Sequence, residues 1–360
     1  MIDRPHPDAE QAREQLNTGT KPVAPGVRFD EARLAAWMQA NVPDFSGPLA
    51  VRQFKGGQSN PTFQLLTPGK TYVLRRKPPG LLLASAHAVD REFRVISALH
   101  PTGFPVARPY ALCTDESVIG TIFYVMDMVE GRILWDQSLP HYRPADRGAI
   151  FGAKLSTLAR LHGADPSALG LGDFGKPGNY MGRQVARWTK QYRASETAPI
   201  EAMEKLMGWL PESLPDQERT SIVHGDYRLD NMVLHPSEPR VIAVLDWELS
   251  TLGDPLADFT YLLMNWITGP IADIADLERH GIPSVDAYIA EYCRLTGRDG
   301  LPTLNWYFAY NSFRMAAIVQ GVLGRVRDGT ANSPQAAAGA DRVPKYANAG
   351  WAFARKAGAA

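Results

Sequence analysis

The stretch IVHGDYRLDNMVLHPSEPRVIAVLDWE, residues 222–248, limits how this chain can fold more than any other. It is a β interruption in a text that reads as mostly helical from about residue 145 onward. Met232 to His235 and Arg240 to Leu245 form two short apolar runs joined by the turn Pro236-Ser237-Glu238-Pro239, so the segment is expected to be a hairpin. Asn231 stands just before the outgoing strand and Asp246 just after the returning one, which brings both polar side chains to the same end of the ribbon. Asp226 lies five residues before Asn231, near enough in a compact loop to share that site. A carboxylate with a carboxamide oxygen is a hard donor set suited to Mg²⁺, which typically keeps several waters and binds substrate phosphates. The third group is then available as a base.

The rest of the chain supplies the surroundings. The first 26 residues are polar, hold three prolines before position 23 and show little periodicity, so they read as a flexible arm. No apolar secretory core is visible in them. Asp30 can cap a helix over Glu31–Val42. Then PLAVRQF (48–54), the link GGQSN, PTFQLLT (61–67), a Pro-Gly-Lys turn and TYVLRR (71–76) predict an antiparallel meander. Val89, Phe93, Ile96 and Leu99 recur at helical spacing within Ala84–His100, and strand-like runs follow at 106–113 and 121–129. Further helices are expected around Ile150–Leu161 and over 181–194, 255–267, 284–296 and 303–328.

Composition removes several function classes. The 360 residues suit about two folding units, and 38 Lys+Arg against 38 Asp+Glu argue against a strongly basic nucleic-acid binder. No apolar run approaches the roughly 20 residues that span a bilayer, so no membrane role is expected. Cys113 and Cys293 have no ligand spacing and read as two unpaired thiols, which fits a cytoplasmic compartment. Oligomeric state is not encoded in any pattern of this sequence.

His-x-Asp-x4-Asn, a hairpin and then Asp follow the order of the catalytic and metal loops in the protein-kinase-like superfamily. The spelling HGDYRLDN…LDWE resembles the aminoglycoside-phosphotransferase branch over most of residues 48–328. Within it, YVLRRKPPG, DREFRVISAL, LDWELSTLGDPLADF and FRMAAIVQGV look most like the kinase-like domains found with acyl-CoA dehydrogenases, although 360 residues leave no room for such a dehydrogenase beside them. The resemblance implies an α+β, bilobal kinase-like fold: a small antiparallel-sheet N-lobe with one long helix over 27–130, after the 1–26 arm, and a larger, mainly helical C-lobe over 131–360. It also implies ATP and Mg²⁺ as cofactors and a small-molecule hydroxyl as phosphate acceptor.

Position by position, the resemblance makes Asp226 the catalytic carboxylate and Asn231 and Asp246 the Mg²⁺ ligands. Arg228 takes the place of the lysine that protein kinases set on the transferring phosphate, and His224 braces the loop. Gly56, Gly57, Gln58, Ser59 and Asn60 become the phosphate-covering turn, though without a full G-x-G-x-x-G. Asp127 and Val129 offer the hinge carbonyl and amide to adenine, with ATP expected between the two lobes. Arg75 stands where the third-strand lysine is expected; Val73 and Arg75 share a strand face, so one can meet the base and the other the phosphates. Glu92 becomes its helix partner. Trp247-Glu248 replaces Phe-Gly, so Glu248 can add an outer or metal-binding oxygen and no DFG-type flip is assumed.

Plainer readings stand beside these. Arg75 and Glu92 also suit a surface strand and a solvated helix face, and Gly56-Gly57 suits an ordinary hairpin tip. Asp254 and Asp258 carry an N-cap and first-turn signature, and His162 suits a packed position. The aromatics Trp306, Tyr307, Phe308, Tyr310 and Phe313 fit either a pocket or a core. The leading function is an ATP-dependent phosphotransferase acting on a small-molecule hydroxyl, such as a hydroxy acid or hydroxyacyl thioester. The alternatives are a silent nucleotide-binding regulatory module or an aminoglycoside- or choline-type kinase. A metal-dependent hydrolase is weaker, for want of a second metal's ligands.

Overall fold

Alternating side chains make Thr62–Leu66 (β3) and Thr71–Arg76 (β4) a hairpin in the computed structural model, with Thr62 opposite Arg75 and Leu66 opposite Thr71. The structure describes residues 16–56, 60–78, 88–328 and 341–360. Ala50–Phe54 (β2) pairs with β3, while Phe123–Asp127 (β6) pairs with β4 and with Pro109–Cys113 (β5), every neighbour antiparallel. Within the stretch read as a flexible arm, Thr20–Lys21 (β1) extends the sheet, Thr20 lying opposite Phe54. The resulting order is β1-β2-β3-β4-β6-β5.

One face of this sheet is closed by Glu31–Asn41 (α1). Asp30 accepts the amide N–H groups of Ala32 and Arg33, both at 3.0 Å, which satisfies donors the first helical turn would otherwise leave open. Leu34 and Met38 then bury against Phe63, Leu65, Tyr72, Leu74, Phe123 and Val125. Each such side chain withdrawn from water is worth about 2 kcal/mol. Val89–Leu99 (α2) buries Val89, Val95, Ile96 and Leu99, and Glu92 with them.

The chain forms two compact units. The first comprises residues up to Thr157, with Leu169–Leu171 and Arg228–Ser250; the second comprises Leu158–Ala168, Gly172–Tyr227 and Thr251–Ala360. Pro144–Gly163 (α3) therefore contributes to both. The expected hairpin belongs to the first unit: Met232–Leu234 (β8) pairs with Val241–Val244 (β9). Arg132 bridges to Leu234 through reciprocal backbone hydrogen bonds of 2.8 Å. Only glycine fits at 131, where a Cβ would lie 2.2 Å from the Leu234 carbonyl oxygen.

In the second unit Ser221–Val223 (β7) pairs with Thr251–Gly253 (β10). Helices Tyr180–Ser195 (α4), Glu201–Glu212 (α5), Pro255–Ile267 (α6), Val285–Thr296 (α7), Leu304–Arg327 (α8) and Arg342–Lys356 (α9) make up the rest. Trp306, Tyr307, Phe308, Tyr310 and Phe313 on α8 are all buried, which settles the aromatic run as core. The sequence reading did not anticipate α5 and α9. The buried face of α9 is Val343, Ala347, Gly350 and Ala354, too small a stripe to register as apolar periodicity. Cys113 and Cys293 are buried free thiols. Among the described residues no helix is long and apolar enough to cross a membrane.

Candidate active site

Strand alternation sends the two adjacent arginines of β4 to opposite faces. Arg76 enters the core, where its guanidinium donates to the carbonyls of Val27 and Ile119 and lies over the rings of Phe29 and Phe63. Arg75 emerges on the face it shares with Val73 and meets α2. Its Nε donates to Glu92 Oε2 at 2.7 Å and its Nη2 to Oε1 at 3.3 Å, a forked pair that a lysine could not form. The same Nη2 donates to Asp246 Oδ1.

Glu92 is 1 % exposed and takes further donors, Asn60 Nδ2 at 3.0 Å and the Tyr124 hydroxyl at 3.0 Å. Burial pushes its carboxyl above the usual range, and the Arg75 guanidinium and Tyr124 hydroxyl pull against that. With the guanidinium at 2.7 Å, the ion pair is the form that leaves neither charge uncompensated. Asn60 also donates to Glu248 Oε2 at 3.1 Å, so the last residue of the expected phosphate turn is tied to Glu92 and Glu248. Oxygens of Glu92, Asp246 and Glu248 lie within 4.8 Å of one another. Gly56 is half-buried; Gly57, Gln58 and Ser59 lie outside the described residues.

The hairpin brings the backbones of Asn231 and Asp246 to its open end. The Leu245 amide donates to the Asn231 carbonyl at 2.8 Å, so Asp246 follows directly from a residue bonded to Asn231. Asp246 takes a left-handed backbone (φ 64°), which a non-glycine residue adopts only at a cost and which is common where geometry serves a site. Arg228 is held by Asp230, its Nε at 2.9 Å from Oδ1 and its Nη2 on Oδ2. Near the expected hinge, the Asp127 amide donates to the Arg108 carbonyl at 2.9 Å and its carboxylate pairs with Lys70 at 2.8 Å, while Val129 is half-buried.

Asp226 belongs to the second unit and is positioned there by Tyr261, Arg314 and Asp258, none of which the sequence reading assigned to the site. The Tyr261 hydroxyl donates to Asp226 Oδ1 at 2.7 Å. Arg314 donates to the Gly225 carbonyl and lies over the Tyr261 ring. Asp258 accepts the amide N–H groups of His224 and Gly225, the latter at 2.9 Å. Gly225 turns through φ 85°, open to glycine at no steric cost. His224 braces the loop through Nδ1, which accepts the Asp226 amide at 3.2 Å.

Burial works to raise the Asp258 carboxyl, but His162 beside it and the loop amides outweigh that and leave it below the ordinary aspartate value. His162 itself is buried, with Nδ1 2.8 Å from the Tyr292 hydroxyl and Nε2 3.7 Å from Asp258. Asp254 is the helix cap expected of it, accepting from the Leu256 amide at 2.9 Å. Asp258 lies in the first turn of the same helix, as expected, and its carboxylate also holds the loop. The string GDPLADF carried that possibility, but two acidic residues in a first turn look alike until the loop above them is seen.

Residues 50–304 match the model of the phosphotransferase enzyme family. The chain belongs to this family. A protein from Ralstonia eutropha JMP134, provisionally assigned as an aminoglycoside phosphotransferase, shares 52% sequence identity with this phosphotransferase, with a TM-score of 0.84 over 91% of this chain and 99% of the other. Acyl-CoA dehydrogenase family member 10 of Mus musculus is 42% identical over 99% of this chain and 35% of its own length. The chain spans less than half the length of the curated relatives it matches. A thermostable mutant of aminoglycoside phosphotransferase APH(4)-Ia, solved with AMP-PNP and hygromycin B, is 17% identical with a TM-score of 0.57 over 92% of this chain and 99% of its own, and shows a shared fold. The phosphotransferase described above thus has the kinase-like fold, with a small antiparallel sheet early in the chain and a helical region after it.

Proposed function

We propose that this phosphotransferase is a cytoplasmic, ATP-dependent small-molecule kinase that moves the γ-phosphate to an acceptor hydroxyl. The observation that carries the reading is Arg75 forked on Glu92 and bonded to Asp246: a strand cation, a helix carboxylate and a hairpin-end carboxylate from three distant stretches of sequence gathered in one cluster. That cluster has little reason to exist as a stabilising device, since buried ion pairs return little more than their desolvation cost. It is well suited to phosphate oxygens, for which a guanidinium is a planar fork of donors.

In this reading Arg75 and Arg228 neutralise phosphate charge, Val73 touches the base, and Asp127 and Val129 present backbone groups to adenine. Gly56 to Asn60 cover the phosphates. Asp226 orients the acceptor hydroxyl and accepts its proton; because phosphoryl transfer has a loose transition state, holding the nucleophile in line matters more than base strength. Asn231 and Asp246 supply hard oxygens that fit Mg²⁺, with Glu248 within reach of the same place. When bound there, Mg²⁺ would offset charge on the phosphate oxygens.

For the acceptor we favour a hydroxy acid or hydroxyacyl thioester over a polycation. Its support is the neutral net charge of the chain and the acyl-CoA dehydrogenase name carried by relatives more than 40% identical. Two of the arginines on α8 do not add to it: Arg314 is tied to the Gly225 carbonyl and Arg327 to Asp328. The test is ADP release across panels of hydroxyacyl-CoA thioesters, aminoglycosides, choline and sugars. Asp226→Asn is expected to abolish turnover while Mg·ATP still binds, and an equally active variant would remove the assignment. Turnover with aminoglycosides alone overturns the acceptor class but not the chemistry.

A further inference from the structure

Lys154, on α3, is 1 % exposed, an amine held inside the first unit. Its Nζ donates to Gln137 Oε1 at 3.2 Å, and that oxygen also accepts the Leu229 amide at 3.2 Å. The other end of the carboxamide, Gln137 Nε2, donates to Asp230 Oδ1 at 3.2 Å. Asp230 is the carboxylate that grips the Arg228 guanidinium at both Nε and Nη2. A single side-chain amide thus joins a buried ammonium to the peptide just after Arg228 and to the group that decides where Arg228 points.

Apolar packing does not call for an amine at this position: burying one costs free energy, and an unbranched apolar chain of similar length would fill similar space. What the amine adds is a charge whose field acts on Asp230. We propose that Lys154, acting through Gln137, is a positioning residue for Arg228. Protonated, it shares in balancing Asp230 and lets the guanidinium turn toward a phosphate; neutral, it no longer shares that charge, and Arg228 stays clamped on Asp230. The inference rests on the reading of Arg228 as phosphate-facing.

The ammonium is placed to switch. Burial lowers its pKa to about 7, with Asp230 opposing the shift and Arg228 adding to it. In the clamped state Arg228 offers less to the third phosphate of ATP and nothing different to ADP, so the preference for ATP over ADP reports its position.

The experiment measures Mg·ATP and Mg·ADP binding calorimetrically to the full chain at pH 6 and pH 8.5. The proteins are wild type, Lys154→Met, Gln137→Met and Arg228→Ala. At pH 6 wild type is expected to prefer ATP over ADP about three- to tenfold more strongly than Lys154→Met does, and at pH 8.5 the two should coincide. Gln137→Met breaks the same bridge from the other side and should also lose the pH dependence, which covers a failure of Lys154→Met to fold. A merely structural lysine would change the melting temperature and leave the pH dependence of the ATP/ADP ratio as in wild type; that result overturns the inference. If Arg228→Ala keeps the wild-type ratio, the reading of Arg228 falls and the inference with it. If Arg228→Ala lowers the ratio while Lys154→Met follows wild type at both pH values, the inference alone falls.

Discussion

The Tyr261 hydroxyl donates to Asp226 Oδ1 at 2.7 Å, while the Arg314 guanidinium sits 4.8 Å from the centre of the same tyrosine ring. One oxygen of the carboxylate is thereby anchored, and the rotation that would swing the other out of line is opposed. Tyr261→Phe removes the anchor and keeps the ring. Its expected effect is about a tenfold fall in kcat with the KM for ATP unchanged, the size of one hydrogen bond that matters in the transition state. Steady-state ADP release on an active acceptor measures it; an unchanged kcat would show that Asp226 holds its orientation unaided.

Asp258 ties the loop of His224 and Gly225 to α6 through their two amide N–H groups. Because its folded-state carboxyl lies below the ordinary value, the stability it contributes is present above about pH 4 and is lost as the pH falls through the lower folded value. Asp258→Asn is expected to cost about 2–4 kcal/mol at pH 7. The difference should be smaller at pH 3 than at pH 7, and denaturant titrations at the two pH values test this.

Removing one side of the Arg75–Glu92 pair leaves a carboxylate buried with no counter-charge. Arg75→Met should therefore destabilise by about 3–5 kcal/mol and abolish nucleotide binding. Arg75→Lys keeps the charge but loses the fork, and should weaken Mg·ATP binding about tenfold with a smaller loss of stability. Equal affinities for Arg75→Lys and wild type in a calorimetric titration would show that charge alone suffices here.

The buried Lys154 ammonium sets a sign for stability. Its pKa in the folded chain, about 7, is below the ordinary lysine value, so the unfolded chain holds more protons between pH 7 and about pH 10 and stability rises with pH across that range. Lys154→Met should therefore be more stable than wild type at pH 6, by an amount on the order of a few kcal/mol, and the gap should narrow above pH 7. Melting temperatures at pH 6 and pH 9 check the direction.

Much of this is legible in the sequence, and the division has a physical basis. The meander, its turn, the hairpin and the paired ends Asn231 and Asp246 follow from short-range pattern, where periodicity and turn chemistry are local. Choosing Arg75 rather than Arg76 as the outward cation follows from strand alternation. Tyr261, Gln137 and Lys154 were illegible because each acts through a fold contact across many residues and none sits in a motif of its own; Arg314 lies in FRMAAIVQGV, but its contact with the Gly225 carbonyl is set by the fold. α9 was missed for a different reason: alanine and glycine bury closely but contribute little apolar signal.

The backbone of Asp246, at φ 64°, governs which replacements at that position can be interpreted. Alanine there would combine two penalties, the missing carboxylate and a main-chain conformation disfavoured by its methyl group. Asparagine tolerates the left-handed region and matches aspartate in shape. A ligand-deletion series through residue 246 should therefore be anchored on Asn, with glycine as the backbone control, and an inactive alanine mutant would say little about cations.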